Sequence, residues 1–386
     1  MGAAVTAVVW SSFSGRYSDS PRAVYEALLG RGEEFSHLWL VREDLRGDFP
    51  ADVATAVYGS PEGRAALESA DVVVANNGLS LPWDKAPGTT YLQTWHGTPL
   101  KRMHLDAPAP PGGRLAALDT DVARWDHLLS PNAVSTPLFR SAFGYRGPVH
   151  ETGYPRNDVL RSPGRDLLRA RVRAALGLAD GVTAVLYAPT WRDDLVATAG
   201  RPDHAFPPDF DELVGGLPAD HVLLLRLHTM VTDRPALPAD ARVLDVSGHP
   251  EVSELYLAAD VLITDYSSAM FDFAVTGKPL LHFTYDIGHY RDDLRGFYLD
   301  LAELAPGPLL TTSAQVLAEL ADAGRPSAER AARYDRFRTT FCALEDGSAT
   351  DRVVARFFPP PTAGGAGRTS PTTALPTHRE GEHAHT

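Results

Sequence analysis

The chain has 386 residues, of which 44% are hydrophobic and 22% charged, a composition typical of soluble globular proteins at a length that suits two domains better than one. No apolar run approaches the ~20 residues that span a bilayer, which excludes a predicted transmembrane helix. The net charge of -13 argues against a general affinity for nucleic acid or acidic lipid, and a single cysteine excludes an internal disulfide.

The first part of the chain predicts alternating strands and helices. Short apolar, β-branched runs indicate strands, and Ser20-Pro21 is typical of a helix start. The predicted strands are 4–10, 37–41, 53–58, 72–76, 90–95 and 127–130. The predicted helices are 21–29, 61–69, 114–125 and 133–142. This order predicts a parallel sheet with helices on both faces.

The alternation then starts again. A helix is predicted over 166–176, and strands over 183–187, 221–227, 242–246, 261–264 and 279–283, with helices between them. Two closing helices are predicted over 326–344 and 350–358. The sequence after Phe358 is rich in Pro, Gly and Thr with few apolar residues, which predicts a disordered tail over 359–386. The fold class is therefore α/β, with two similar halves and a hinge near 156–165.

Polar residues follow several of these strands at the edge where parallel sheets bind ligands. His96 ends the strand 90–95 and precedes Gly97, which allows close approach of a ligand, and Lys101 supplies a cation. A strand-end histidine can equally be a hydrogen-bonded structural group. Arg156 and Asn157 lie in a turn-rich segment at the predicted hinge, where turn formation and ligand contact are both reasonable interpretations.

The second half repeats this pattern. Arg226 and His228 interrupt the apolar run VLLLRL, so the arginine needs either a bound anion or a carboxylate of the fold. The stretch Asp260 to Phe273 predicts a buried strand, a turn with hydroxyl groups and a helix start. Such a turn can hold a phosphate, although Ser and Asp are also ordinary helix caps.

Common motifs for other activities are missing. The sequence has no GxxxxGK[ST] phosphate-binding loop, no GxGxxG after the first strand, and no GxSxG nucleophile motif. Neither HExxH nor CxxC occurs, and the fourteen histidines are scattered, so no metal site is predicted.

Six motifs between residues 90 and 352 are, in order, QTWHGTPLKRMHLD, ETGYPRNDVL, YAPTWRD, LLLRLH, ELYLAADVLITDYSSAMFDFAVTGKPLL and RGFYLDL. In content and order they resemble the CDP-glycerol glycerophosphotransferases of teichoic-acid synthesis. The resemblance implies the glycosyltransferase-B (GT-B) architecture, in which two Rossmann-like domains face each other across a cleft. The expected divisions are an acceptor domain over 1–160, a CDP-glycerol-binding domain over 161–345, a closing helix over 346–358 and the tail.

The resemblance also implies the chemistry. Glycerol phosphate would pass from CDP-glycerol to an acceptor hydroxyl, releasing CMP, without a cofactor, and a loosely held Mg²⁺ stays open. His96 would take the proton of the hydroxyl, and His228 would stabilise the leaving CMP. The residues implied to bind substrate are Gly97, Thr98, Lys101, Arg156, Asn157, Thr190, Arg192, Arg226, Thr264, Asp265, Ser267 and Ser268.

The expected partners are CDP-glycerol and a lipid-linked polyol-phosphate or glycan acceptor, with no nucleic acid. The expected location is the cytoplasm, at the inner face of the membrane, although 99–104 and 107–114 are only short candidates for membrane contact. Three alternatives stay open: a CDP-ribitol transferase, a nucleotide-sugar transferase of the same architecture, and a non-catalytic protein that binds a nucleotide-alditol.

Overall fold

Two parallel sheets organise the chain in the computed structural model, which describes residues 5–31, 35–108, 112–190, 192, 207–228, 240 and 242–360. The first sheet has seven strands in the order β3-β2-β1-β4-β5-β6-β7. Its strands are β1 Thr6–Ser11, β2 Phe35–Val41, β3 Thr55–Val57, β4 Val72–Ala75, β5 Thr90–Gln93, β6 His127–Ser130 and β7 Val149–Glu151. Each pairs with its neighbours in parallel, as the alternation of strands and helices predicted.

The second sheet has six parallel strands in the order β10-β9-β8-β11-β12-β13. They are β8 Thr183–Ala188, β9 His221–Leu225, β10 Val243–Asp245, β11 Val261–Thr264, β12 Leu280–Phe283 and β13 Leu309–Leu310. All four residues of β11 and of β12 are buried, because helices cover both faces of a parallel sheet. The predicted α/β class and GT-B architecture are confirmed.

Helices connect the strands. The α-helices of four or more residues in the described part of the chain are α1 Asp19–Arg31, α2 Pro61–Ser69, α3 Gly112–Val122, α4 Ser135–Phe143, α5 Arg165–Ala175, α6 Phe210–Gly215, α7 Val252–Ala258, α8 Ala269–Ala274, α9 Leu301–Leu304, α10 Ser313–Asp322, α11 Ala328–Phe341 and α12 Ala349–Phe357. Local sequence explains several starts. At α2, for example, the Ser60 hydroxyl accepts a hydrogen bond from the Gly63 N–H at 3.0 Å and Pro61 is the first helical residue.

Some predicted boundaries differ from the observed ones. The helix expected over 114–125 is α3, Gly112–Val122, and the strand expected over 53–58 is only three residues long. Strands β7 and β13 were not predicted, because runs of three and two residues show no periodicity. Residues 361–386, most of the expected tail, lie outside the described residues.

The last helix returns to the first sheet. Val353, Val354 and Phe358 pack in the same core cluster as Trp10 and Trp39, although they follow the second sheet in sequence. Two core clusters of large buried side chains serve each sheet. None of the described helices is long and apolar enough to cross a bilayer.

The two halves also share backbone hydrogen bonds. Tyr298 donates its N–H to the carbonyl of Leu100 at 2.8 Å, and Arg102 donates to the carbonyl of Gly296 at 3.1 Å. Lys101 and Phe297 form an antiparallel bridge between these two bonds. The segment that follows the WHGTP motif is thus joined to the RGFYLDL motif of the second half.

Candidate active site

The strand order reverses once in each sheet, and both reversals carry polar loops. In the first sheet the reversal lies between β1 and β4, and in the second between β8 and β11. At such a point the connections on either side run in opposite directions and leave a crevice at the carboxyl ends of the strands, where α/β proteins bind ligands. The motifs singled out in the sequence lie at or just beyond the ends of β5, β7, β8, β9, β11 and β12.

His96 lies just beyond β5, and one hydrogen bond orients its ring. Nδ1 is 2.5 Å from the carbonyl oxygen of Asn76, and because a carbonyl only accepts, Nδ1 carries the proton. Burial lowers the pKa of His96, so the ring is neutral near pH 7 and Nε2 is unprotonated. Among the described residues Nε2 has no hydrogen-bond partner. The ring is therefore arranged to accept a proton from a ligand.

The backbone around this ring is strained. Of the five described non-glycine residues with positive φ, four lie in the loops near this ring: Phe13 at 44°, Ser14 at 59°, Asp19 at 65° and Trp95 at 52°. Each such conformation costs about 1–3 kcal/mol and persists only where the surroundings impose it. Strain of this kind concentrates at functional sites, and here it surrounds His96.

Gly97 brings the two halves into contact. A Cβ on residue 97 would lie 2.6 Å from the Ser268 hydroxyl oxygen and 2.9 Å from its Cβ, which is too close for any side chain. The Gly97 N–H donates to the hydroxyl of buried Tyr154 at 3.2 Å. The turn after His96 thus lies directly against the turn of the TDYSS motif. Thr98 is buried beside it, and Lys101 takes part in the bridge to Phe297.

Arg156 joins both halves beneath this contact. Its Nη1 donates to Asp19 Oδ2 at 2.6 Å and to the carbonyl of His96 at 2.8 Å, and its Nη2 donates to Asp272 Oδ2 at 2.7 Å. The guanidinium also lies 4.9 Å from the centre of the Tyr154 ring. Arg156 is 5% exposed. Its contacts hold the His96 backbone against the helix that follows Ser268.

Asn157 extends this buried group. Its Nδ2 donates to Asp272 Oδ1 at 2.9 Å, and burial raises the pKa of Asp272 although Arg156 opposes the shift. Glu345 lies behind, where it accepts the Tyr154 N–H at 3.1 Å. Burial, with the Asp272 charge, raises the pKa of Glu345 to about 8, so this carboxyl is protonated at neutral pH.

The second sheet builds a corresponding site at its reversal point. Asp265, just beyond β11, accepts the Thr190 N–H at 2.8 Å and Arg192 Nη1 at 2.7 Å. Burial raises the pKa of Asp265, but the Arg192 charge and the Thr190 hydrogen bonds outweigh it, so the net shift is downward. Asp265 therefore ties the loop after β8 to the loop after β11.

Arg192 is largely occupied by protein groups. Besides Asp265, it donates two hydrogen bonds to Asp286, at 2.7 and 2.9 Å, and one to the Thr190 carbonyl at 2.6 Å. Three tyrosine rings lie within 5.5 Å of its guanidinium carbon, those of Tyr266, Tyr285 and Tyr290. It is 6% exposed. These contacts make it a buried ionic centre that supports the loop.

Arg226 differs from Arg192. Its Nη1 donates to the carbonyls of His249 at 2.8 Å and Val246 at 3.2 Å, and no described carboxylate lies within ion-pair distance. Burial lowers the pKa of Arg226. An arginine that is partly desolvated without a carboxylate is suited to an anionic ligand. His228 follows on the same strand end and is exposed, and residues 229–239 beyond it lie outside the described residues.

The turn after β11 offers hydrogen-bond donors. The Thr264 hydroxyl donates to the Ala188 carbonyl at 2.7 Å, and the Ser267 hydroxyl accepts from the Ala269 N–H at 3.2 Å. The N–H groups of Ser267 and Ser268 donate to no described residue. Helix α8, which follows, has six residues. Free backbone donors and two hydroxyls in one turn suit phosphate oxygens.

No group of three or more His, Cys, Asp or Glu side chains that could hold a metal ion occurs in the described part of the chain. The positive charges of the site are arginines and one lysine.

Several residues of the site were missed at the sequence level. Asn76 orients His96, Asp19 and Asp272 bind Arg156, and Asp286 binds Arg192. Asn76 carried a signal, since it is a polar residue at the end of the apolar run VVVAN. The three carboxylates did not, because their partners are 94 to 137 residues away in sequence.

Comparison with known proteins gives a consistent result. Residues 4–359 match the model of the family described as CDP-Glycerol:Poly(glycerophosphate) glycerophosphotransferase. The teichoic acid poly(glycerol phosphate) polymerase of Bacillus subtilis (strain 168) is 35% identical over 91% of this chain. The chain spans only about half the length of that relative, 48%.

Two further relatives match over most of their own length. The teichoic acid glycerol-phosphate transferase of Staphylococcus aureus (strain NCTC 8325 / PS 47) is 36% identical, with 91% of this chain and 92% of the relative covered. The solved structure of the wall teichoic acid polymerase TagF has a TM-score of 0.81 and 35% identity, covering 90% of this chain and 87% of that one.

Proposed function

The chain belongs to the CDP-glycerol:poly(glycerophosphate) glycerophosphotransferase family, and from this premise we propose that it transfers glycerol phosphate from CDP-glycerol to a hydroxyl of a teichoic-acid-type acceptor, with release of CMP. The relatives named above are teichoic acid polymerases and a transferase.

In this reaction the acceptor hydroxyl oxygen bonds to the phosphorus that carries glycerol, and the bond from that phosphorus to the oxygen of CMP breaks. His96 Nε2 takes the hydroxyl proton. The hydrogen bond from Nδ1 to the Asn76 carbonyl supports this role, because it leaves the lone pair on Nε2 and stabilises the charge that the ring gains.

The donor lies on the second half of the chain. The Ser267 and Ser268 N–H groups and hydroxyls bind phosphate oxygens, with Gly97 allowing the opposite turn to come close. Arg226 and His228 stabilise the negative charge that develops on CMP as it leaves. Arginine charges neutralise the pyrophosphate, and a resident metal is not part of the proposal. Most of the rate then comes from holding the attacking and leaving oxygens in line.

Thr98, Lys101 and Asn157 are proposed to contribute to the same cleft. Thr190, Arg192, Thr264 and Asp265 support its donor side, and Arg156 supports the wall that contains His96.

One observation carries the proposal. The turn at Gly97, which follows the oriented base, touches the turn at Ser268, whose N–H groups are available to donate hydrogen bonds to phosphate oxygens. A base and an anion site on opposite halves are what a two-substrate phosphoryl transfer needs.

The test is CMP release from CDP-glycerol in the presence of an acceptor that ends in glycerol phosphate. The wild-type chain should release CMP, and H96A should lose roughly 10²–10⁴-fold in turnover while its affinity for CDP-glycerol, measured by calorimetry, stays close to that of wild type. His221 is a matched control, because it lies at the start of β9, at the opposite end of the strand from Arg226. H221A should keep normal turnover.

The alternatives are separated in the same assay by the donor. If CMP is released preferentially from CDP-ribitol, or UDP from a UDP-sugar, that compound is the donor in place of CDP-glycerol. Tight binding of a nucleotide-alditol without release from any donor would support a non-catalytic binding protein.

We further propose that the acceptor is lipid-linked and that the chain works at the inner face of the cell membrane. The support is that its relatives are named for teichoic acid, the polymer class that the resemblance associates with lipid-linked acceptors. Co-sedimentation with vesicles that contain the lipid-linked acceptor, compared with plain vesicles, tests this part separately.

A further inference from the structure

Phe13 occupies an unusual position for an aromatic residue. It lies in the loop after β1, its side chain is 36% exposed, and its ring centre is 5.1 Å from that of His96 in an edge-to-face arrangement. The imidazole also contacts Trp95, which is stacked on it at 4.4 Å between ring centres and is largely buried. The base therefore contacts two aromatic rings, of which Phe13 is the more exposed, at 36% against 8% for Trp95.

The loop holds Phe13 there against two costs. Phe13 and Ser14 both have positive φ, and an exposed phenyl ring leaves apolar surface in water. The conformation is imposed by its neighbours. The Phe13 N–H donates to Asn76 Oδ1 at 2.9 Å, and the Gly15 and Arg16 N–H groups both donate to the Ser12 carbonyl.

Gly15 fixes the loop from the other side. It accepts the Arg42 N–H at 3.2 Å, and at its φ of 128° a Cβ would lie 2.2 Å from that nitrogen. The phenyl ring is thus placed by the fold, since a loop that only linked β1 to α1 would not need this strained geometry.

Asn76 couples this ring to the base. Its backbone oxygen orients the His96 ring and its side-chain oxygen holds Phe13, so a single residue fixes both relative to β4. Asn76 is fully buried.

We propose that Phe13 makes the site select a polyol acceptor over water. This inference rests on the proposed function. The ring forms an apolar wall over His96 against which the carbon chain of the acceptor packs. Water has no carbon chain to pack against the ring, and the ring limits the access of water to Nε2.

The competing reaction is hydrolysis of the donor. In it, water oxygen bonds to the phosphorus that carries glycerol, the bond to CMP breaks, and His96 takes the water proton, which gives glycerol 3-phosphate and CMP. Transfer and hydrolysis release the same CMP, so the fraction of glycerol phosphate that ends free in solution measures the selection.

The experiment compares wild type, F13A, F13Y and the control L29A, with CDP-glycerol and a glycerol-phosphate-ended acceptor. Leu29 is also exposed, at 53%, and lies near the end of α1. F13A should raise the hydrolysed fraction roughly tenfold, because it removes apolar packing worth about two methylene groups, and it should raise the KM for the acceptor. F13Y should restore the wild-type partition, and L29A should match wild type.

A second variant addresses the loop. N76A removes the side-chain acceptor of the Phe13 N–H and keeps the backbone carbonyl that orients His96, so it too should raise the hydrolysed fraction. If the wild-type chain transfers glycerol phosphate and F13A shows the same hydrolysed fraction as wild type, the inference is overturned and the proposed function stands. Failure of the wild-type chain to release CMP from CDP-glycerol would overturn the proposed function and this inference together.

Discussion

Gly97 and Ser268 lie so close that a methyl group on residue 97 would be 2.6 Å from the Ser268 hydroxyl oxygen. They belong to different halves of the chain, 171 positions apart in sequence. One turn follows the candidate base, and the other offers hydrogen-bond donors for phosphate oxygens. The two turns can meet only because residue 97 has no side chain.

The first prediction concerns this contact. G97A should separate the two turns and reduce turnover strongly, by roughly 10²-fold, since a displacement of about 1 Å at a reacting centre has that effect. S268A would not relieve the clash, because its Cβ would still lie 2.9 Å from the new methyl group. The double variant G97A/S268G should regain activity over G97A. Equal activity of the single and double variants, measured as CMP release, would contradict a steric origin.

The second prediction distinguishes the two strand-end arginines. R226M should weaken CDP-glycerol binding by about ten- to a hundredfold, the effect of losing a hydrogen bond to a charged group, with little change in unfolding. R192M should instead destabilise the fold by about 3–5 kcal/mol, because it leaves buried Asp265 and half-buried Asp286 without their partner. Calorimetric binding and urea unfolding of both variants check this. The assignment fails if R192M unfolds like wild type or if R226M binds normally.

The third prediction concerns the junction between the halves. R156M should lower the free energy of unfolding by about 3–5 kcal/mol, because Asp19 and Asp272 lose the charge that compensates their burial. R42M removes an exposed pair with Asp44 and should have no measurable effect on unfolding. A urea midpoint for R156M equal to that of R42M would show that the buried group does not support the junction.

The fourth prediction is a pH dependence. The pKa of Glu345 is raised from 4.5 to about 8 in the folded chain, so the folded state keeps a proton that the unfolded state loses. The contribution of Glu345 to the free energy of unfolding is therefore fully present below pH 4.5 and is lost as the pH rises through about 8.

E345Q removes this dependence while keeping an oxygen to accept the Tyr154 N–H. As the pH rises from 5 to 8, the thermal midpoint of wild type should therefore fall relative to that of E345Q. Glu303 is an exposed control, and E303Q should follow the wild-type pH profile. A constant difference between E345Q and wild type across this range would rule out a proton held by Glu345.

Much of the fold could be predicted from the sequence. Runs such as VVVAN and VLITD are apolar enough to indicate buried parallel strands, and the helices between them follow from capping residues and periodicity. The short edge strands Val149–Glu151 and Leu309–Leu310 could not, because their pairing is decided by neighbours in the sheet.

The candidate site was predicted as a set of strand-end motifs, but the sequence did not distinguish among its arginines. Each of the three lies in a motif near the end of a predicted strand, where an arginine suggests a bound anion: Arg156, Arg192 and Arg226. In the structure the first two are each bound by two carboxylates, and Arg226 has none among the described residues. This difference depends on side chains far away in sequence, which local patterns do not encode.

The sequence by itself determined the class of fold, the family resemblance and the types of residue at the strand ends, because these follow from local periodicity and from motif order. Only the tertiary structure decided that Gly97 touches Ser268, that the Asn76 carbonyl orients His96, and that the Phe13 ring packs against the His96 ring. The reason is physical: the first set depends on residues within a few turns of one another, whereas each member of the second set depends on how separate strands are ordered in a sheet and how two sheets pack.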